Sequence, residues 1–180
     1  MVTARQLRTE RLVLRDWRDS DLAPFAALNA DPDVMQHFRG TLTRAESDAF
    51  AARIRANLRQ DGWGLWAVEV IGGEPFIGFV GLARQTFEAH FTPAVEVGWR
   101  LAKAAWGRGY APEAARAVIE FGFAELGLPE IVSITTAGNA KSRRVMQKIG
   151  MTYEPADDFE YPLLEEGHPL RPSVLYRLRR

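Results

Sequence analysis

The chain has 180 residues, 47% of them hydrophobic, which is material for one ordinary domain with a substantial core. Its 23 acidic and 23 basic residues cancel, which argues against nucleic-acid or anionic-membrane partners and leaves recognition to local charge. No cysteine is present, which excludes disulfides, thiolate metal sites and an acyl-cysteine intermediate. There is no signal-peptide core and no window near the ~20 apolar residues that span a bilayer, so a cytoplasmic location is expected.

Leu7 to Trp17 sets Leu12 and Leu14 against Arg11, Val13 and Arg15, the alternation of a strand with one buried face. Asp19 or Ser20 can cap a short helix containing Leu22, Phe25, Ala26 and Leu28, which Asp31-Pro32-Asp33 ends. Thr43-Arg44-Ala45-Glu46 has capping-box spacing, and Phe50, Ile54 and Leu58 follow at helical intervals before Asp61-Gly62, predicting a second helix. Trp63 to Val70 and Phe76 to Gln85 read as strands joined around Ile71-Gly72-Gly73-Glu74, and Ala94 to Leu101 completes the antiparallel half of the sheet. No repeat, low-complexity stretch or internal boundary appears, so residues 1–180 are expected to form a single domain.

That last strand runs into Lys103-Ala104-Ala105-Trp106-Gly107-Arg108-Gly109-Tyr110-Ala111-Pro112-Glu113. Gly107 and Gly109 let the backbone turn so that successive N–H groups converge on an anion, and Lys103 and Arg108 add positive charge. A helix is expected to begin beside Pro112 with its positive dipole end at the loop. Ala115, Val118, Ile119, Gly122, Phe123 and Leu126 form its apolar or small face until Gly127 and Pro129 stop it. The loop lacks the Gly-Lys-Ser/Thr ending of a nucleoside-triphosphate P-loop and the third glycine of the dinucleotide fingerprint, which disfavours both nucleotide sites. Ile131 to Thr136 then reads as a strand. Asn139 can cap a helix with Val145, Met146 and Ile149 on its apolar face, and Gly150 suits its C-terminal cap. From Tyr153 onward, prolines alternate with Asp157, Asp158, Glu160, Glu165 and Glu166 in a long irregular loop, before Ser173 to Leu178 closes the chain as a strand.

Glu96-Val97-Gly98-Trp99-x-Leu101, Trp106-Gly107-Arg108-Gly109-Tyr110-Ala111-x-Glu113-Ala114, and Asn139-x-x-Ser142 with Lys148-x-Gly150-Met151 occur in that order, and Thr9 to Arg15 extends the pattern upstream. Together these resemble the GNAT acetyltransferases, particularly the RimJ/RimL-type branch that acetylates ribosomal-protein N-termini. The resemblance implies a mixed α/β (α+β) GNAT fold, one splayed mixed sheet of about seven strands flanked by about four helices. It implies acetyl-CoA as cosubstrate without a metal, and direct acetyl transfer to a small-molecule amine or a protein N-terminus. A homodimer is the default assembly. The cofactor pyrophosphate would lie on the N–H groups of Trp106, Gly107, Arg108, Gly109, Tyr110 and Ala111, with Arg108 as a counter-charge, although Trp106 replaces the family's usual Gln or Arg. The pantetheine arm would add between two diverging strands and meet the backbones of Trp99 and Leu101.

Acyl transfer to an amine needs a base, an oxyanion stabiliser and help for the departing thiolate. Glu96 is the candidate base, and a solvated residue on the outer face of its strand is the alternative. Ser142 can hydrogen-bond the leaving sulfur, and Asn139 can hold cofactor or substrate carbonyls; capping and solvation of the helix's first turn is the plainer alternative for both. The position at which many relatives carry a tyrosine acid is Met146, which has no proton to give. Tyr110 and Tyr176 are possible substitutes, and a non-catalytic acyl-CoA-binding or sensing module is the competing function. His37, His90 and His168 have no metal-ligand spacing, though His168 lies in the acidic loop and is kept as an acceptor-site candidate. Among the tryptophans, Trp66 is the one expected to wall the acceptor pocket. The acidic loop either attracts a cationic amine or is simply solvated.

Overall fold

Apolar runs pair with the strands next to them in sequence through the first half of the chain, even where three helices intervene between two of them. In the computed structural model, which describes residues 5–180, β1 (Leu7–Arg8), β2 (Leu12–Arg15), β3 (Leu65–Val70), β4 (Gly78–Gln85) and β5 (Ala94–Leu101) are successively antiparallel. β6 (Glu130–Thr136) joins β5 in parallel, and β7 (Thr152–Tyr153) and β8 (Phe159–Glu160) both pair with β9 (Pro172–Arg179), which lies antiparallel to β6. One mixed sheet of nine strands results.

Five helices cover it: α1 (Leu22–Ala30), α2 (Pro32–Met35), α3 (Arg44–Asp61), α4 (Tyr110–Ala124) and α5 (Ala140–Lys148). The Thr43–Glu46 capping box forms as the spacing predicts, and Gly62 ends α3 in the left-handed region at φ 75°. α1 and α3 share one face of the sheet, where Phe25 and Phe50 pack on Phe79 with ring centroids 6.1 and 6.0 Å apart. Full burial of a ring such as Phe25 contributes about 1.5–3 kcal/mol. α4 covers the opposite face, where Phe121 meets the Trp66 ring edge-on at 5.5 Å. Gly122 permits that approach, because a Cβ there would lie 2.8 Å from Cδ1 of Ile131.

Five differences from the sequence reading have local causes. The opening run is two strands, since it turns between Arg8 and Leu12 to pair β1 with β2, and all four β2 residues are buried where one face was expected to be. Neither Asp19 nor Ser20 caps α1, because both lie in a 3-10 turn, Asp19–Asp21, that runs directly into it. Asp31-Pro32-Asp33 ends α1 but also starts α2, since the Asp31 carboxylate accepts from Asp33 N–H. The stretch after Tyr153 is only partly irregular: two-residue strands β7 and β8, too short to show alternation, pin it to β9. α4 begins at Tyr110, two residues before Pro112, because Gly109 turns the chain at φ 80°. Proline is tolerated at the third helical position for the same reason as at the first, since that N–H would have no intrahelical partner. No helix among the described residues is long and apolar enough to cross a membrane.

Candidate active site

β5 and β6 pair in register only at Glu96 and Val132 and then diverge. Ser133 Oγ bridges the gap, donating to the Val97 carbonyl at 2.9 Å. Backbone groups two residues apart share a strand edge, so Trp99 and Leu101 also face the opening. The Leu101 carbonyl is already used, accepting from the Trp106 indole N–H at 2.9 Å. Both backbone groups of Trp99 and the N–H of Leu101 are left to meet an added strand.

At the end of the gap lies the glycine loop. Gly107 and Gly109 take φ of 75° and 80°, and the N–H groups from Gly107 to Ala111 donate to no other described residue. Oriented donors at a helix N-terminus form an anion cradle. The loop is braced by Arg11, whose Nη1 donates to the Arg108 carbonyl at 3.0 Å and whose Nε donates to Glu113 at 2.7 Å, with the guanidinium 4.9 Å from the Tyr110 ring centre. Glu113 also accepts from Thr9 Oγ1 at 2.6 Å and Arg11 N–H at 3.0 Å. Arg108 is exposed beside the cradle. Lys103 pairs instead with Asp33, so its charge is spent away from the loop. Lys141, at the start of α5, lies 4.1 Å over the Trp106 ring and supplies a cation that the sequence reading did not single out.

Glu96 occupies the point of divergence. Its carboxylate accepts from Gln85 Nε2 at 2.5 Å and from Ile134 N–H at 3.3 Å, an amide that the parting of the strands leaves without a β5 partner. Part of the side chain reaches solvent, but protein surrounds the carboxylate, and this desolvation pushes its pKa up to about 7 against the pull of those two hydrogen bonds. Strand alternation puts Glu96, Gly98 and Arg100 on the α1/α3 face. Above Gly98 the space is open: a Cβ added there would meet nothing within 4 Å.

Residues distant in sequence come close to Glu96 and Arg100. The Tyr161 hydroxyl, just after β8, has its pKa raised by burial and by the charge of Glu96, with Arg39 acting the other way, so Tyr161 lies within electrostatic reach of both. Its ring meets Phe87 edge-on at 5.1 Å. The segment between α2 and α3 forms a roof: His37 Nδ1 is 3.4 Å from Thr136 Oγ1, and Phe38 stacks 4.1 Å from the Arg100 guanidinium. Burial and the Lys141 charge hold the His37 pKa down. These residues were missed because strand pairing and a loop crossing, not a motif, bring them together.

On α5, Asn139 Oδ1 accepts from Ser142 N–H at 3.2 Å while Nδ2 donates to Thr135 Oγ1 and Ser142 Oγ at 2.9 and 3.1 Å. Both Asn139 donors are thus committed, whereas Ser142 Oγ accepts and keeps its own proton available. Met146 is in the core, 1% exposed. Tyr176 is fully buried beneath Tyr153, its hydroxyl accepting from Arg143 Nε at 3.3 Å, and Tyr110 lies under Arg11. Trp66 is not a pocket wall: it is fully buried on the α4 face with its indole donating to the Arg5 carbonyl at 2.8 Å. The acidic loop is solvated over most of its charge: Asp158, Glu160, Glu165 and Glu166 are exposed, and only Asp157 is half-buried. Asp157 pairs with Arg177 at 2.7 Å and His90 at 3.3 Å, Asp158 accepts from the Tyr153 hydroxyl at 2.9 Å, and His168 Nδ1 accepts from Leu170 N–H at 3.1 Å. Among the described residues no group of three or more metal-ligating side chains is assembled.

Comparison with known proteins adds to this geometry. The model of the acetyltransferase (GNAT) domain matches residues 11–152. Uncharacterized protein YkkB of Bacillus subtilis is 35% identical over 149 residues, 82% of this chain and 86% of the relative. The FsC-acetyl coenzyme A-N(2)-transacetylase of Aspergillus fumigatus is 32% identical over 78% of this chain and 63% of its own length. A crystal structure of an acetyltransferase from Agrobacterium tumefaciens superposes with a TM-score of 0.78 at 28% identity, covering 100% of this chain and 97% of that one.

Proposed function

We propose, from the premise that this chain belongs to the GNAT family and is an acetyl-CoA-dependent acetyltransferase, that it moves the acetyl group directly to a primary amine, with Glu96 as general base. The observation that carries this reading is the Glu96 carboxylate, desolvated to a pKa of about 7 where the strands part, beside the open space over Gly98. A free alkyl amine has a pKa near ~10 and is mostly protonated at neutral pH, so a base tuned near 7 is matched to removing that proton, directly or through one water.

The acetyl-CoA pyrophosphate would be held by the N–H groups from Gly107 to Ala111, with Arg108 and Lys141 as counter-charges, and the pantetheine arm would pair with Trp99 in the β5–β6 gap. The amine nitrogen attacks the thioester carbonyl carbon, the C–S bond breaks, and the electron pair leaves with sulfur. Ser142 Oγ–H, oriented by Asn139, donates to the emerging thiolate. A thiol pKa near ~8.5 makes this modest help sufficient, so the absence of a proton donor at Met146 does not block the reaction. A peptide N-terminus and a small amine both satisfy this chemistry.

The test is release of CoA thiol from acetyl-CoA in the presence of amino acids, peptides with free N-termini, spermine and aminoglycosides. The cysteine-free chain contributes no background thiol. Glu96→Gln is expected to lower kcat by about 10²–10⁴-fold with acetyl-CoA affinity retained. Full turnover by Glu96→Gln would remove Glu96 as the base.

A further inference from the structure

Arg100 is a half-buried cation with no anion beside it among the described residues. Nη1 donates to Asn29 Oδ1 at 2.7 Å, Nε is enclosed without a partner, and Nη2 donates to no described residue. Its charge is faced only by aromatic rings, those of Phe38, Phe50 and Phe79, at 4.1, 5.5 and 5.6 Å from the guanidinium carbon. Burial alone depresses its pKa, to about 10, and no carboxylate opposes that shift. Three cation–π contacts of about 0.5–2 kcal/mol each do not replace the hydrogen bonds a guanidinium makes in water. Few proteins keep such a group without a use for it.

Its position supplies the use. Arg100 shares the α1/α3 face of β5 with Glu96, the proposed base, and with Gly98, over which the space is open. The roof that crosses from Thr136 covers Arg100 with Phe38, a large apolar side chain left 42% exposed. Four residues of strand put the two Cα atoms about 13 Å apart, so an acceptor with its amine at Glu96 and an anionic group extended along β5 toward Phe38 would meet the unpaired guanidinium.

Resting on the acetyltransfer reading above, we infer that Arg100 selects the acceptor by binding a carboxylate, so that the substrate is an amine bearing a carboxylate and not a polycation. Planar guanidinium and carboxylate groups match in a two-point hydrogen bond, and Nε with Nη2 is the adjacent pair of donors without a partner among the described residues; Nε is enclosed, so the carboxylate enters as the Phe38 ring moves aside. In so dry a setting that bond is strong, and a carboxamide, which puts an N–H against the guanidinium, cannot replace it.

The test compares CoA release with alanine, methionine and phenylalanine against their carboxamides, and with Ala-Glu-NH2 against Ala-Gln-NH2; spermine is the cationic control. The wild-type protein is expected to favour the acid over its carboxamide in kcat/KM by about 10–100-fold in one of the two series. The series in which this occurs tells whether the carboxylate is the α-group or is carried further along the acceptor. Arg100→Met should bring the ratio towards one without changing the dissociation constant of acetyl-CoA, and Arg100→Lys should retain part of the preference. A merely structural arginine would leave the acid-to-carboxamide ratio where it was while lowering both rates. Equal use of acids and carboxamides, a preference for spermine, or weaker acetyl-CoA binding in Arg100→Met overturns the inference while leaving acetyl transfer standing. Silence with every acceptor overturns the catalytic reading on which it rests.

Discussion

Arg15 and Arg100 are two arginines of one sheet, the first buried and the second half-buried, and they are treated in opposite ways. Arg15, 4% exposed, donates to both carboxylate oxygens of Asp21 at 2.8 and 3.0 Å, to Glu69 at 2.7 Å and to the carbonyls of Asp16 and Pro75. Burial alone would lower its pKa, but the hydrogen bonds it donates to Asp21 and Glu69, with their charges, outweigh it and raise the pKa. Arg100 has no such partner. The region around β2 is closed electrically, whereas the β5 face holds an unpaired arginine and a raised-pKa carboxylate on either side of open space. A buried charge whose bonds are complete belongs to the fold; one whose bonds are incomplete points to something that arrives later.

The sharpest way to break this comparison is to delete each arginine's charge in turn. Arg15→Met strands Asp21, itself 1% exposed, and should cost about 3–5 kcal/mol in denaturant unfolding. Arg100→Met removes a desolvation penalty together with the cation–π contacts and the Asn29 bond, terms of opposite sign, and should change stability by no more than about 1 kcal/mol. Equal losses in the two variants would mean that Arg100 is as structural as Arg15.

The next effect concerns the other unpaired charge. Glu96 has a folded pKa of about 7 against an ordinary 4.5. Between those values the folded state holds a proton that the unfolded state has released, so stability is greatest below pH 4.5 on this account and falls as pH rises through 7. Relative to Glu96→Gln, which never ionises, the wild-type protein should lose on the order of 3 kcal/mol between pH 4 and pH 8. Parallel stability curves for the two proteins would show the carboxylate to be solvated. In catalysis the sign reverses, because only the ionised form is a base. kcat/KM should rise with an apparent pKa of about 7 and level off above it.

Much of the paired, closed architecture was legible in the sequence because its causes are local. The Thr43–Glu46 capping box, the Asn139 cap, the left-handed glycines at 109 and 150, and the alternation in β3 to β5 each depend on residues a few positions apart. The turn of the glycine loop was legible for the same reason, but not the fate of each amide: Trp106 N–H, expected in the cradle, donates to the Lys103 carbonyl at 3.1 Å instead. What was not legible depends on long-range placement. Nothing around Tyr161 says that β8 will fold onto β9 and bring it to Glu96, and nothing around Phe38 says that it will cover Arg100. Trp66 shows the same limit from the other side: its strand was correct, but which face met α4 was decided by register, since Trp66 pairs with Val80 and Val80 with Trp99.

The smallest expected effect on stability tests whether the open space belongs to the site. Gly98 lies within β5 with no steric demand for glycine, since an added Cβ would meet nothing within 4 Å. Gly98→Leu should therefore fold with a stability change below about 1 kcal/mol, the size of ordinary strand-propensity effects. If the acceptor passes over this residue between Glu96 and Arg100, the leucine side chain fills its path, and the acceptor KM should rise by about tenfold or more while acetyl-CoA, proposed to lie in the β5–β6 gap, should bind as before. An unchanged acceptor KM would mean that the amine reaches Glu96 by another route. Arg100 would then be too far from the reaction to choose the substrate, and its missing partner would need a different explanation.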